Sequence, residues 1–437
     1  MPPLETQHTS APHGHLLTNY GVWSPDSRWI VYDVRSDPAG SVFDGTSIQR
    51  VHVETGEVQV LYRATRGAGC GVVTCSPIDE RVVFIHGPEE PSPDWQYSPC
   101  HRRGVVVDAR CPDVATNLDA CDLTPPFTAG ALRGGSHVHT FSGDGRWVSF
   151  TYEDHVLTAL GNDVFGPHDV NQRNVGISVP LGAVEVAGDH PRNHSGSHFS
   201  VLATRTVNQP RPGSDEIGKA FEESWIGTNG YVRGDGSRQQ RAIAFQGQVV
   251  TSTGENISEV FVVDLPEDVT IPSDDGPLAG TATQRPRPPR GATQRRLTYT
   301  AERRYPGLQG PRHWLRSSPD GSQIAFLMKD DDGVVQLWTI SPSGGEPRQI
   351  TRQEHPIASA FTWSPQGDTI AHVLDNCVCI TELASGQSRC LTARSADADA
   401  PRPEACVFSP DGLRVAYVRN VLNQGERWNQ ICSVPLQ

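Results

Sequence analysis

The chain has 437 residues, enough for two or three ordinary domains or for one large repeat architecture. Hydrophobic content of 36% with 42 Gly and 35 Pro suits a turn-rich β protein, and no apolar run approaches the about 18 residues of a membrane-spanning helix. A net charge of −13 speaks against a general nucleic-acid binder.

In chain order, residues 22–34 (VWSPDSRWIVYDV), 73–87 (VTCSPIDERVVFIHG), 139–153 (HTFSGDGRWVSFTYE), 315–329 (LRSSPDGSQIAFLMK), 361–375 (FTWSPQGDTIAHVLD) and 406–420 (CVFSPDGLRVAYVRN) repeat one design. A short apolar strand runs into Ser-Pro-Asp-Gly or a variant, and an alternating strand follows. Pro presets φ, Asp bonds back to the backbone, and Gly takes the positive φ that closes the turn. Second hairpins, at 334–351 and 377–392, raise the count to four strands per unit, the blade of a β-propeller. The last openers start at Ser318, Ser364 and Ser409, 46 and 45 residues apart, one blade each.

Residues 195–207 (SGSHFSVLATRTV) read as a degenerate opener of the fourth blade, completed by 241–266. Within 208–240, the stretch GSDEIGKAFEESWIG offers Ser214 as an N-cap and places Ile217, Phe221 and Trp225 four apart. That spacing predicts a short amphipathic helix in an insertion. Residues 284–291 (QRPRPPRG) read as a Pro/Arg linker between blades. The expectation is one all-β domain over 1–437, a seven-bladed propeller with WD40/TolB-like repeats.

The repeat gives two remote histidines a common position. The column five residues before each turn serine holds Asn19, Gly71, His137, His313, Ser359 and Glu404; aligning the fourth opener at Ala203 adds His198. Radial symmetry superposes equal offsets, and His139 shares the strand face of His137 at period two. His137, His139, His198 and His313 are therefore expected to converge at one channel mouth and hold a divalent ion, Mn, Fe, Zn or Ca.

A second cluster, FIHGPEEPSPDWQYSPCHRRGVVVD, brings His86, Glu89, Trp95, His101, Arg102 and Arg103 to one rim. Arg102 and Arg103 suit a carboxylate, and Trp95 suits a sugar face. No G-x4-G-K-[ST], G-x-S-x-G or H-E-x-x-H occurs, which disfavours an ATPase, an α/β-hydrolase and a zincin. The ten cysteines are expected to be reduced and mostly buried. The N-terminus has no basic segment leading into an apolar core, so a cytoplasmic location is the expectation.

The stretches HLLTN, VVFIHGPEEP, HRRGVVVD, LRGGSHVHTFS and YPGLQGPRHWLRSSPDG resemble the bacterial YidR-type family of TolB-related propellers, over nearly the whole chain. HGPEEP is more distantly similar to the His-Glu-Gly-Pro stretch of oligogalacturonate lyases. That resemblance implies Mn²⁺ held by histidines and a glutamine at the channel mouth, and cleavage by β-elimination. Ser136-His137-Val138-His139 departs from that family's Gln-x-x-His-x-His cluster by lacking the glutamine. The functional expectation is a metal-assisted lyase on short uronic-acid oligosaccharides. His86 or His101 would be the base; Arg102, Arg103 or Arg312 would hold carboxylates, with Glu89 and Trp95 lining the substrate. The alternative is a non-catalytic TolB-like scaffold for a protein partner; a sugar hydrolase or epimerase at the same ring is the third reading.

Overall fold

The computed structural model describes residues 4–311, 314–423 and 425–437. These build seven four-stranded antiparallel sheets arranged as propeller blades. The first strands of blades 1 to 7 are Gly14–Leu16, Cys70–Cys75, Gly134–Phe141, Ile217–Trp225, Arg316–Ser317, Thr362–Trp363 and Val407–Phe408. Thr6–Gln7 pairs with Glu426–Pro435 as the outermost strand of blade 7, so the two ends of the chain close the ring. No helix among the described residues is long and apolar enough to cross a membrane.

Every blade but the fourth opens on a turn that closes within its own sequence, the serine N–H donating to the carbonyl five residues on. In blades 1, 3, 5 and 7 the serine hydroxyl (Ser24, Ser142, Ser318, Ser409) donates to the aspartate two residues on, 2.6 Å in every case. The same oxygen accepts the backbone N–H five residues on, at 3.0–3.1 Å. Neighbouring blades are joined by tryptophan. Trp23, Trp225 and Trp363 each donate their indole N–H to a carbonyl of the preceding blade, Val407, Thr140 and Arg316, at 2.9–3.0 Å. In blades 7, 3 and 5 that carbonyl lies two residues before the turn serine, so Trp225 occupies the same blade position as Trp23 and Trp363.

This equivalence corrects the fourth blade. Residues 217–225 form its innermost strand, paired with Ala242–Val250, and not a helix. Residues four apart share a face in a strand as they do in a helix, so the spacing of Ile217, Phe221 and Trp225 does not separate the two. Pairing with a strand some twenty-five residues downstream decides it. Phe199–Leu202, expected in the fourth blade, is the outermost strand of the third. The Pro/Arg segment 284–291 lies inside blade 4, ahead of its outer strand Thr293–Arg296, and not between blades. Arg285 is buried there, and its guanidinium hydrogen-bonds Thr206 and Asn208.

Candidate functional site

Three consecutive inner strands carry the same irregularity. In blades 2, 3 and 4 the pairing skips between Gly71 and Thr74, His137 and Thr140, and Phe221 and Ser224. Val72, Val138 and Glu222 take positive φ of 58°, 55° and 57°. Each is a β-bulge, which adds one residue and re-aims the side chains after it. The bulge separates His137 from His139. His137 faces the central channel, whereas His139 is fully buried between blades, with Nε2 3.0 Å from the Ser136 hydroxyl. A Cβ on Gly104 would stand 2.7 Å from that nitrogen, so only glycine fits on the facing strand.

The channel mouth is a cavity of about 260 Å³ lined by residues of six blades, among them Asp33, Tyr97, Arg102, His137, Arg173 and Glu222. Its charges are mostly paired. Asp33 meets Arg35 at 2.7 Å, Arg173 meets Glu153 at 2.7 Å, and Glu222 accepts from the Gln246 amide at 2.6 Å. Arg102 differs: its side-chain hydrogen bond runs to the Tyr97 hydroxyl at 3.3 Å, with no carboxylate partner among the described residues. Its Nε is buried and unpartnered. His137 Nδ1–H donates to the Thr151 carbonyl (3.3 Å), which fixes the tautomer and leaves Nε2 with a free lone pair. Burial first, then the Arg102 and Arg173 guanidiniums, hold this imidazole well below its ordinary pKa, so it is neutral at neutral pH.

A second cleft of about 240 Å³ adjoins the first and shares Arg102 with it. It collects His86, Glu89, Trp95, His101 and Arg103, as expected, together with Arg192 and His194. Their bonds change the expected roles. His86 donates from Nδ1 to the Gly87 carbonyl (2.7 Å), and its Nε2 accepts from the Tyr62 hydroxyl (2.9 Å). His101 donates to the Gln96 carbonyl (2.9 Å), and its Nε2 meets His155 Nδ1 at 3.0 Å. Neither has a lone pair left to act as a base. Arg103 is paired with Glu89 at 3.1 Å. Trp95 stacks on His101 with ring centroids 3.7 Å apart, which closes that face to a sugar.

Among the described residues the histidines expected at the mouth do not converge. His198 precedes the outermost strand of blade 3 at its turn end, beside Arg81, remote from His137. Arg312 and His313 lie outside the described residues. Among the described residues no three His, Cys, Asp or Glu side chains converge as metal ligands. His137 is the only one of the three described histidines that reaches the mouth, so the described residues by themselves supply one imidazole there and not a histidine cluster.

Sequence reasoning missed Tyr97, Arg173, Glu222 and Glu223. The signal for the last two was Trp225, which stands where Trp23 and Trp363 stand before their turns. Glu223 is buried, accepts from the Thr151 hydroxyl (2.8 Å), and has an unpartnered Oε1. Burial pushes its pKa up to about 7. A carboxyl whose folded pKa exceeds its unfolded value of 4.5 stabilises the fold fully below pH 4.5 and loses that contribution as pH rises through 7. Glu223→Gln is therefore expected to raise the urea midpoint at pH 8 relative to wild type and to leave it unchanged at pH 4, in denaturation series at the two pH values.

The fold and mouth together define a seven-bladed β-propeller whose channel opens on an arginine–histidine pair. The uncharacterized protein YidR of Escherichia coli (strain K12) is 49% identical over 425 residues, 97% of this chain and 95% of that protein. The chain belongs to the YidR family. A family of unknown function, DUF3748, matches residues 69–194, which hold blade 2, most of blade 3 and both clefts' histidines. Among solved structures, an oligogalacturonate lyase in complex with manganese superposes with a TM-score of 0.56 at 11% identity, covering 100% of this chain and 97% of that one. The oligogalacturonate lyase of Vibrio parahaemolyticus gives 0.51 at 11% identity, covering 99% and 93%. A putative TolB from Agrobacterium tumefaciens gives 0.39 at 13% identity, covering 98% and 93%. At 11% identity the likeness to the two lyases is one of fold.

Proposed function

We propose that the channel mouth is the site of a lyase acting on short uronic-acid-containing oligosaccharides, with the chain's own residues carrying the chemistry. The observation behind this reading is Arg102, a guanidinium without a carboxylate partner among the described residues, lining one cavity with an imidazole whose Nε2 lone pair is free. Arg102 pairs with the uronate carboxylate bidentately and stabilises the enolate-like charge that grows as the C5 proton leaves. His137 Nε2 takes that proton. The electron pair forms the C4–C5 double bond as the C4–O bond breaks, and the Tyr97 hydroxyl protonates the departing oxygen. The adjoining cleft shares Arg102 and gives room for a further sugar, which favours an oligosaccharide over a monosaccharide.

The test is incubation of the full chain with oligogalacturonates and other uronate di- and trisaccharides, with and without Mn²⁺ and with chelator. Ultraviolet absorbance and mass spectrometry report the unsaturated product. Unsaturated product without added metal, lost in Arg102→Gln, is the expected result. Absolute dependence on Mn²⁺ would restore the metal-assisted mechanism instead. A product heavier by one water would mean hydrolysis. No product and no binding of any uronate would move the function to a protein-binding scaffold.

A further inference from the structure

The ten cysteines are free thiols, eight buried and two, Cys111 and Cys390, exposed. Small buried hydrophobes account for the eight, not for Cys390. It ends Ser388–Cys390, the outermost strand of blade 6, and its register partner on the next strand inward is Cys379. The two sulfurs are 3.1 Å apart, against about 2.05 Å for a disulfide bond. Leu391 N–H donates to the Val378 carbonyl at 2.7 Å, which makes 379 and 390 a non-hydrogen-bonded pair. Cα atoms in such pairs are about 4.5 Å apart, at the short edge of the about 4.4–6.8 Å that disulfides span. Formation therefore needs little backbone movement, and a bond at that edge is readily reduced. Cys377, two residues before Cys379 on the same strand, also faces Cys390.

We infer that Cys390 and Cys379 form an oxidation site that closes into a cross-strand disulfide when a hydroperoxide reaches the blade edge. Cys390 is the sulfur that solvent reaches; Cys379 is fully buried and Cys377 nearly so. The Cys390 thiolate attacks the peroxide, the O–O bond breaks, and an S–O bond forms, giving a sulfenic acid and releasing water or an alcohol. The Cys379 sulfur then attacks the Cys390 sulfur. The S–S bond forms, the S–O bond breaks, and the oxygen leaves as water with the Cys379 proton. Two thiols lose two electrons to one hydroperoxide. The product clamps the outermost strand of blade 6 to Cys377–Glu382, far along the chain from the channel residues.

The test uses the full chain in a Cys111→Ser background, which removes the other exposed thiol. After hydrogen peroxide treatment, thiols are counted under denaturation and peptides are mapped without reductant. Loss of two thiols, a 379–390 cross-link, return of both thiols with dithiothreitol, and no cross-link in Cys111→Ser/Cys390→Ser are expected. An unchanged thiol count, an equal loss in the Cys390→Ser variant, or a cross-link through Cys377 would overturn the assignment. None of these outcomes depends on lyase activity.

Discussion

His137→Gln is expected to lower kcat on uronate oligosaccharides by about 10²–10⁴-fold with little change in KM, the range for loss of a positioned general base. Gln retains a polar group of similar size at the mouth but offers no basic nitrogen. The pH profile adds a readout that a purely structural role would not give. A base must be unprotonated to act, and this imidazole is held well below the ordinary histidine range by burial and by the Arg102 and Arg173 guanidiniums. The wild-type rate is therefore expected to stay level as pH falls through 6.5. Removing a guanidinium, in Arg173→Gln, moves the acid limb toward neutral pH. A wild-type acid limb at 6.5 or above, or a His137→Gln variant with wild-type kcat, would remove His137 from the chemistry. A weak base suffices because the carboxylate bound by Arg102 acidifies the C5 proton before transfer.

The second large effect concerns stability. Arg133 is 1% exposed, and its Nε donates to the Asp154 carboxylate at 2.8 Å. Its other nitrogens donate to the Thr281 and Gln284 carbonyls, tying blade 3 to the segment that leads into the outer strand of blade 4. Asp154 also caps the short helix His155–Leu160 through the Leu157 N–H. Arg133→Ala leaves this carboxylate buried without its cation and frees two carbonyls. The expected cost is about 3–5 kcal/mol, the range for breaking a buried ion pair from one side, read from the shift of the urea midpoint. Arg133→Ala/Asp154→Asn is expected to recover part of the loss, since the uncompensated charge is then gone. Equal midpoints for the single and double variants would mean that the carbonyl contacts, and not the ion pair, hold the blades.

Blade count and turn chemistry were legible because the interactions that make them are local. A serine that bonds an aspartate two residues on and accepts an N–H five residues on needs nothing from the rest of the chain, so its signature stands whole in four openers, and in blade 6 Ser364 bonds Asp368 instead. The fourth blade lacks this signature. Its inner strand had to be recognised from Trp225, whose partner carbonyl on Thr140 belongs to another blade.

The candidate site divides along the same line. Register along a repeat placed His137 at the mouth, and the charged run between the second and third strands of blade 2 supplied Arg102 and the adjoining cleft. Sequence did not carry the direction of His139, because one residue in the positive-φ region at Val138 turns the strand, and a strand's face assignment survives only until the first bulge. Nor did it carry the roles of His86 and His101. A histidine becomes a base or a structural link according to what its two nitrogens already bond, and their partners Tyr62 and His155 lie 24 and 54 residues away. By itself the sequence determined the repeating turn, the seven-fold architecture and the basic character of one rim. Only the tertiary structure decided which imidazole keeps a free lone pair and which guanidinium has no acid beside it among the described residues, because both depend on partners that pairing between strands and blades brings into contact.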